Sequence, residues 1–384
     1  MEIETEAQVI DREGLDRLLA ALGGRGYELI GPTVRDGAIL YERIDSAADL
    51  PEGWTDEQEG GTYRLRRRDD GALFGFNVGP NSWKNHLFPP NLTLWKGRRG
   101  EGGEISFEER TEEVPRYAFI GVRSCDLAAI GVQDRVFIGD GHTDADYEAR
   151  RREAFVVAVN CGEAGATCFC VSMDTGPRAR SGYDLALTEL IDEGGHRFLA
   201  EAGTERGAEL LAEIGAASAV QADTDAAAGV SERCASQMGR ELDTDGIKEL
   251  LYRNMEHPRW DEVSERCLTC GNCTLVCPTC FCHTVEDTSD LAGAEAERTR
   301  QWDSCFSLEH SHIHGGSVRN SPNSRYRQWM THKLASWIDQ FGTSGCVGCG
   351  RCITWCPVAI DITEEAAAIR ATDLGEGRGI DADR

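Results

Sequence analysis

The stretch Cys267-Leu-Thr-Cys270-Gly-Asn-Cys273-Thr-Leu-Val-Cys277-Pro278 decides how the chain is read, and Cys346-Val-Gly-Cys349-Gly-Arg-Cys352-Ile-Thr-Trp-Cys356-Pro357 repeats it. Both follow C-x₂-C-x₂-C-x₃-C-P, the spacing by which thiolates hold a [4Fe–4S] cubane. Three thiolates on one tight loop must converge on three iron corners. Small residues such as Gly271, Gly348 and Gly350 let the backbone approach the cluster. Backbone N–H groups in such a loop can point at the sulfurs and stabilise their negative charge. Proline after the fourth cysteine lacks an N–H and turns the chain away. Zinc is the competing reading, but it normally takes four ligands grouped in pairs, not two complete runs of four.

In two-cluster ferredoxins the fourth cysteine of each run ligates the other cluster. The expected ligands are therefore Cys267, Cys270, Cys273 and Cys356 for cluster one, and Cys346, Cys349, Cys352 and Cys277 for cluster two. Cys277 and Cys346 lie 69 residues apart, too far for a minimal ferredoxin. The expected fold is α+β: an N-terminal mixed α/β domain followed by an α-helical two-[4Fe–4S] ferredoxin-like domain. An insertion between the cluster motifs carries Cys305 and a histidine-rich run.

Outward from these motifs, 384 residues suffice for two domains. The balance of 40 basic against 66 acidic residues gives −26, which argues against a nucleic-acid partner. Residues 250–357 hold 10 basic and 12 acidic side chains, net −2, so the other −24 lies outside the cysteine-rich region. Only four of the basic residues are lysines, at 84, 96, 248 and 333. No run approaches the ~18 apolar residues a membrane span needs. The opening Met1-Glu-Ile-Glu-Thr-Glu6 is acidic where a signal peptide is basic and then apolar, which predicts a cytoplasmic protein. Of sixteen cysteines, eleven lie between Cys267 and Cys356. In a reducing cytosol such density points to metal or redox chemistry rather than disulfides.

Residues 1–220 read as mixed α/β. Helices are expected at 11–22, 126–136 and 205–214. Buried strands are expected at 117–122 and 155–160, and hairpins at 62–77, turning at Asp69-Asp70-Gly71, and at 185–200 around Gly194-Gly195. Residues 221–245, rich in Ala, Asp and Thr at their start, read as a linker. Residues 246–362 form the dicluster domain, and 363–384 an acidic tail, first a short helix and then disorder. Ile247, Leu250, Leu251 and Met255 mark one core-facing helix. Tyr326, Trp329, Met330, Leu334, Trp337, Ile338 and Phe341 mark another, with Gly342 as its C-cap.

Eight cysteines remain outside the two cluster sets. Cys125, Cys161, Cys168 and Cys170 are the favoured set for a possible third iron–sulfur cluster, with Cys280, Cys282 and Cys305 as competing ligands and Cys234 expected to be unligated. Buried structural cysteines are the alternative. His310-Ser-His312-Ile-His314 alternates like a strand. A surface turn or hydrogen-bonding wall is preferred there over a metal site. Arg319, Arg325 and Arg327 either balance anionic clusters or are solvated. Five of the eight tryptophans lie in the cluster region and are expected to exclude water by packing. No dinucleotide-binding glycine fingerprint, Walker loop or nucleophile elbow is present, so no catalytic residue is expected. Clusters pass single electrons, so donor and acceptor are expected on partner subunits.

Further phrases narrow the reading: Gly79-Pro-Asn-Ser-Trp-Lys84 with Leu87-Phe-Pro-Pro90, Gly121-Val-Arg-Ser-Cys-Asp126, and Asn160-Cys161 with Thr167-Cys-Phe-Cys170. To these add Cys277-Pro-Thr-Cys-Phe-Cys282, Trp302-Asp-Ser-Cys305 and Arg325-Tyr-Arg-Gln-Trp329. With them the chain resembles the 4Fe-4S dicluster beta subunits of sulfhydrogenase-type, NAD(P)-linked NiFe hydrogenases, with the A subunit of anaerobic sulfite reductase a close relative. The resemblance covers most of the chain. It implies a cytoplasmic complex in which this subunit relays electrons between a flavin/NAD(P)H-binding subunit and the small and large subunits of a NiFe hydrogenase. An electron-transfer subunit of a sulfite or sulfur reductase is the alternative, and a cluster-based redox sensor is a third.

Overall fold

Tyr117–Val122 and Phe155–Val159 are almost wholly apolar, as strands covered on both faces must be. They lie side by side and parallel inside an eight-stranded sheet. The computed structural model describes residues 6–100, 102–109, 114–139, 141–373 and 375. The sheet order is Ala217–Ser218, Gln8–Asp11, Gly195–Ala202, Leu185–Asp192, Phe155–Val159, Tyr117–Val122, Glu28–Arg35, Ala38–Arg43. Its four central strands, from Leu185–Asp192 to Glu28–Arg35, run parallel and its flanks antiparallel.

Alternation along the central strands distributes their side chains to two cores. Ala118, Ile120, Phe155, Val157 and Leu187 pack with Leu15, Leu18 and Leu22 of helix Arg12–Gly24 and with Leu210 of helix Glu205–Glu213. Phe119, Val156, Ala158 and Ala186 face Leu127, Ile130 and Phe137 of helix Ser124–Phe137. The first helix starts where Asp11 accepts a hydrogen bond from the Gly14 N–H at 2.7 Å. The carboxyl ends of the two central strands run directly into Arg123-Ser124-Cys125 and Asn160-Cys161.

In the C-terminal half, helices Ile247–Arg253, Arg259–Arg266, Pro322–Thr331 and Ile362–Ala371 enclose a third core around Trp260, Tyr326, Trp329 and Met330. The expected stripe over 326–341 is interrupted by a π-helical turn, His332–Ser336, before Trp337–Phe341 and the Gly342 cap. Such turns re-aim side chains inside a helix, and here Lys333 is buried. Among the described residues no helix is long and apolar enough to cross a membrane.

Two expectations are corrected. The stretch 221–236, read as the start of a linker, is the helix Gln221–Ser236, lying on strands Leu185–Asp192 and Gly195–Ala202. Its buried stripe is Ala227, Ser231 and Cys234, small residues at i, i+4 and i+7 that allow close approach but register weakly as hydrophobic. The first hairpin turns at Gly60-Gly61 between Trp54–Glu59 and Thr62–Arg67, not at Asp69-Asp70-Gly71. The insertion between the cluster motifs carries strands ahead of the helices Pro322–Thr331 and Trp337–Phe341. Its strands His283–Ser289 and Glu295–Trp302 extend a sheet with Asn91–Arg99 and Ile105–Glu109 of the N-terminal half. The tail begins as the expected helix, Ile362–Ala371, and residues 374 and 376–384 lie outside the described residues.

The two halves are also joined by a buried ion pair. Arg351, inside the second cluster motif, donates to both carboxylate oxygens of Asp126 at 2.7 and 3.0 Å and to the Gly79 carbonyl at 2.9 Å. Neither side chain is more than 1% exposed. Breaking such a pair by neutralising one partner costs about 3–5 kcal/mol. Asp126→Asn should therefore lower the thermal unfolding midpoint of the intact protein by several degrees. An unchanged midpoint would show that the pair does not join the halves.

Candidate functional site

The two cysteine runs fold as loops that each end in one turn of helix, Asn272–Leu275 and Arg351–Thr354, and these helices touch. Cys267, Cys270 and Cys273 of the first run line one space together with Cys352 and Cys356 of the second. Burial raises the Cys273 thiol well above its ordinary value, and its neighbours Cys267, Cys356 and Cys270 act in the same direction. Phe306, Tyr326 and Trp329 wall the space. Backbone N–H groups of Thr269 and Ile360 point at the sulfurs of Cys267 and Cys356 at 3.4 and 3.3 Å. Cys270 is exposed, and its neighbour Leu268 is 61% exposed.

The fourth cysteine of the first run lies near the second run. Cys346, Cys349 and Cys352 each feel the charge of Cys277. Cys277 is buried and takes a hydrogen bond from the Lys333 ammonium at 3.1 Å; Thr279 Oγ1 lies at the same distance. Burial alone would push the Lys333 ammonium down, but the Cys277 and Cys280 thiols outweigh it and hold it charged. Lys84 is also buried. It donates to the carbonyls of Cys277 and Cys280 at 3.0 and 3.2 Å, and its Nζ lies 3.8 Å over the Trp302 ring. Burial lowers its ammonium to about 8. Both cations were missed from sequence. Their one signal was scarcity, since they are two of only four lysines.

The glycines of the second loop have a use that spacing did not reveal. A Cβ at Gly348 (φ +66°) would stand 2.5 Å from the Phe169 carbonyl oxygen, and one at Gly350 (φ +74°) would collide with that of Thr167. They make room for the Thr167-Cys-Phe-Cys170 backbone, and the Phe169 N–H donates to the Gly348 carbonyl at 2.9 Å. Thr167 and Thr354 hydroxyls meet at 2.8 Å beside the buried Gln58, which accepts from Thr354 at 2.9 Å.

The remaining cysteines separate into two groups. Cys125, Cys161, Cys168, Cys170 and Cys234 line a second space of about 340 Å³. Cys234, expected to stand apart, is wholly buried there and hydrogen-bonded to Cys161, which lowers the Cys161 thiol to about 7. Cys282 and Cys305 are paired the same way. The Cys282 thiol falls to about 4 because of Cys305 and then His310, while His310 rises to about 9 beside Cys282 and Asp303. Of the histidine run, only His312–Ile313 is a strand, and His310 turns inward to Asp303 at 2.7 Å. Among the described residues, no three His, Cys, Asp or Glu side chains are grouped so as to hold a single metal ion. All sixteen cysteines are free. Of the three arginines, buried Arg325 acts on Cys267, whereas Arg319 and Arg327 bond to Ser311 and to the Met255 carbonyl.

Comparison with known proteins agrees with this geometry. Residues 266–360, which span both runs, match a family described as a 4Fe-4S dicluster domain. No solved structure matches the chain. The sulfhydrogenase 2 subunit beta of Pyrococcus furiosus is 31% identical over 281 residues, covering 72% of this chain and 79% of that protein. A likeness of that extent, reaching well beyond the cysteine runs, shows that the chain belongs to the sulfhydrogenase beta-subunit family.

Proposed function

We propose that this chain is the electron-transfer subunit of a cytoplasmic, multi-subunit NiFe hydrogenase and holds two [4Fe–4S] clusters with exchanged ligands. Cys267, Cys270, Cys273 and Cys356 hold cluster one, and Cys346, Cys349, Cys352 and Cys277 hold cluster two. The observation that supports this reading is that Cys356 lines the space around Cys267, Cys270 and Cys273, while Cys277 acts on Cys346, Cys349 and Cys352. Bound there, the clusters supply one-electron transfer and no hydride or proton chemistry.

The chain's own side chains tune and insulate these positions. Tyr326, Trp329 and Phe306 keep water from cluster one. Lys333 sets a positive charge against a sulfur ligand of cluster two and thereby favours the reduced, more negative state. Cys352 also lines the first space, so the two positions share a wall. At the opposite side of cluster one, exposed Cys270 is flanked by exposed Leu268 and Leu275, an apolar rim suited to a partner subunit. The relative's name as a sulfhydrogenase subunit supports a multi-subunit hydrogenase complex, and the partners we propose in it are a flavin/NAD(P)H-binding subunit and hydrogenase small and large subunits.

Three outcomes test this. Purified anaerobically from its native host, the protein should bring a nickel-containing large subunit, identified by mass spectrometry. A sirohaem subunit, or no stable companion, would overturn the hydrogenase assignment. Among Ser variants read by electron paramagnetic resonance, Cys277→Ser should share its altered spectrum with Cys346→Ser, and Cys356→Ser with Cys267→Ser. The opposite grouping would refute the exchange of ligands. Lys333→Met should lower the reduction potential of one cluster and leave the other in place, and an unmoved redox titration would remove the lysine from the account.

A further inference from the structure

Beyond these two positions, the space at the carboxyl edge of the large sheet gathers thiols from three separate elements. Cys161 follows strand Phe155–Val159, Cys168 and Cys170 lie in the loop clamped by Gly348 and Gly350, and Cys234 comes from the last turn of helix Gln221–Ser236. We propose that Cys161, Cys168, Cys170 and Cys234 hold a third iron–sulfur cluster of the [4Fe–4S] class, next to cluster two.

Besides sulfur and apolar groups, Asn77, Arg123 and Glu163 line this space, and backbone comes close to the thiols. A Cβ at Gly165 would lie 3.4 Å from the Cys168 sulfur, and one at Gly176 3.0 Å from that of Cys170. Cys161, Cys168 and Cys170 all act electrostatically on Cys234, so the four thiols face one region.

A buried cation points to an anionic occupant. Arg123 is 1% exposed and lies against Cys161. Its guanidinium donates to the carbonyls of Phe74, Phe76 and Asn160 at 2.8, 2.9 and 3.4 Å. Among the described residues it forms no ion pair, although Asp56 lies near enough to feel its charge. A guanidinium buried among carbonyls is costly unless negative charge stands beside it. A cubane with four thiolate ligands carries net negative charge in both oxidation states and meets that need.

Cys125, expected among the ligands, is a poorer fourth ligand than Cys234. It sits in the first turn of helix Ser124–Phe137, packed with Val78, Ala129 and Val132 as well as Cys170 and Cys349, and its neighbour Asp126 adds negative charge. Cys161 and Cys168 are not among the groups that act on it most. Cys349, a ligand of cluster two, also lines this space. The third position therefore extends the row from cluster one through cluster two to the sheet edge. This placement rests on the two-cluster reading, but the four-thiol set does not.

The test is iron analysis and electron paramagnetic resonance of the full chain, purified and reduced under strict exclusion of oxygen. The parent should hold about twelve irons. Cys234→Ser should lose about four of them together with one reduced-cluster signal, while Cys125→Ser keeps the parent's full complement. If Cys234→Ser fails to accumulate, Cys168→Ser on the loop should show the same loss. A parent with about eight irons, a Cys234→Ser or Cys168→Ser protein with full iron, or a loss confined to Cys125→Ser would overturn the proposal. None of those results would touch the pairing of Cys277 with Cys346 or of Cys356 with Cys267.

Discussion

Crowded thiols set the constraint on which the C-terminal half depends. Cys273, Cys277, Cys346, Cys349 and Cys352 act on one another at close quarters inside protein. As thiolates they repel, and as thiols they are small, weakly bonded side chains at the centre of a core that needs order. In the proposed two-cluster reading, an iron–sulfur core among them removes the repulsion and fixes the two loops together. The helices around Trp260, Trp329 and Met330 then have a rigid floor to pack on.

That floor is tied to the N-terminal half by close backbone contacts and a buried side-chain ion pair. Gly348 and Gly350 admit the Thr167–Cys170 loop, Arg351 reaches Asp126, and the hairpin tip at Gly61 donates its N–H to the Ile353 carbonyl at 3.1 Å. The inserted hairpin His283–Trp302 completes a sheet begun by Asn91–Arg99. The mixed α/β half is thus a scaffold for the cluster loops and cannot be regarded as a separate module beside them.

Much of this was legible in the sequence because thiolate spacing and strand hydrophobicity are strong local signals. The two cysteine runs stood out by their identical spacing, and the strands at 117 and 155 followed from continuous apolar residues. What escaped depended on partners distant in the chain. Helix Gln221–Ser236 hides its buried face in Ala227, Ser231 and Cys234, and Cys234 meets Cys161 only once that helix is laid on the sheet. Lys84 and Lys333 are ordinary surface residues by type, made exceptional by a cation–π contact with Trp302 and by a π-helical turn. The shared sheet was invisible because its pairing joins residues about two hundred positions apart.

The account's central claim is that two cubanes stand close together on interleaved thiolates. The most direct measurement is the electron paramagnetic resonance spectrum of the oxygen-free protein, followed from partial to full chemical reduction. The account predicts simple single-cluster signals at partial reduction that split and broaden as neighbouring reduced clusters interact magnetically. Signals that add without interaction, or a colourless protein carrying zinc in place of iron, would contradict it.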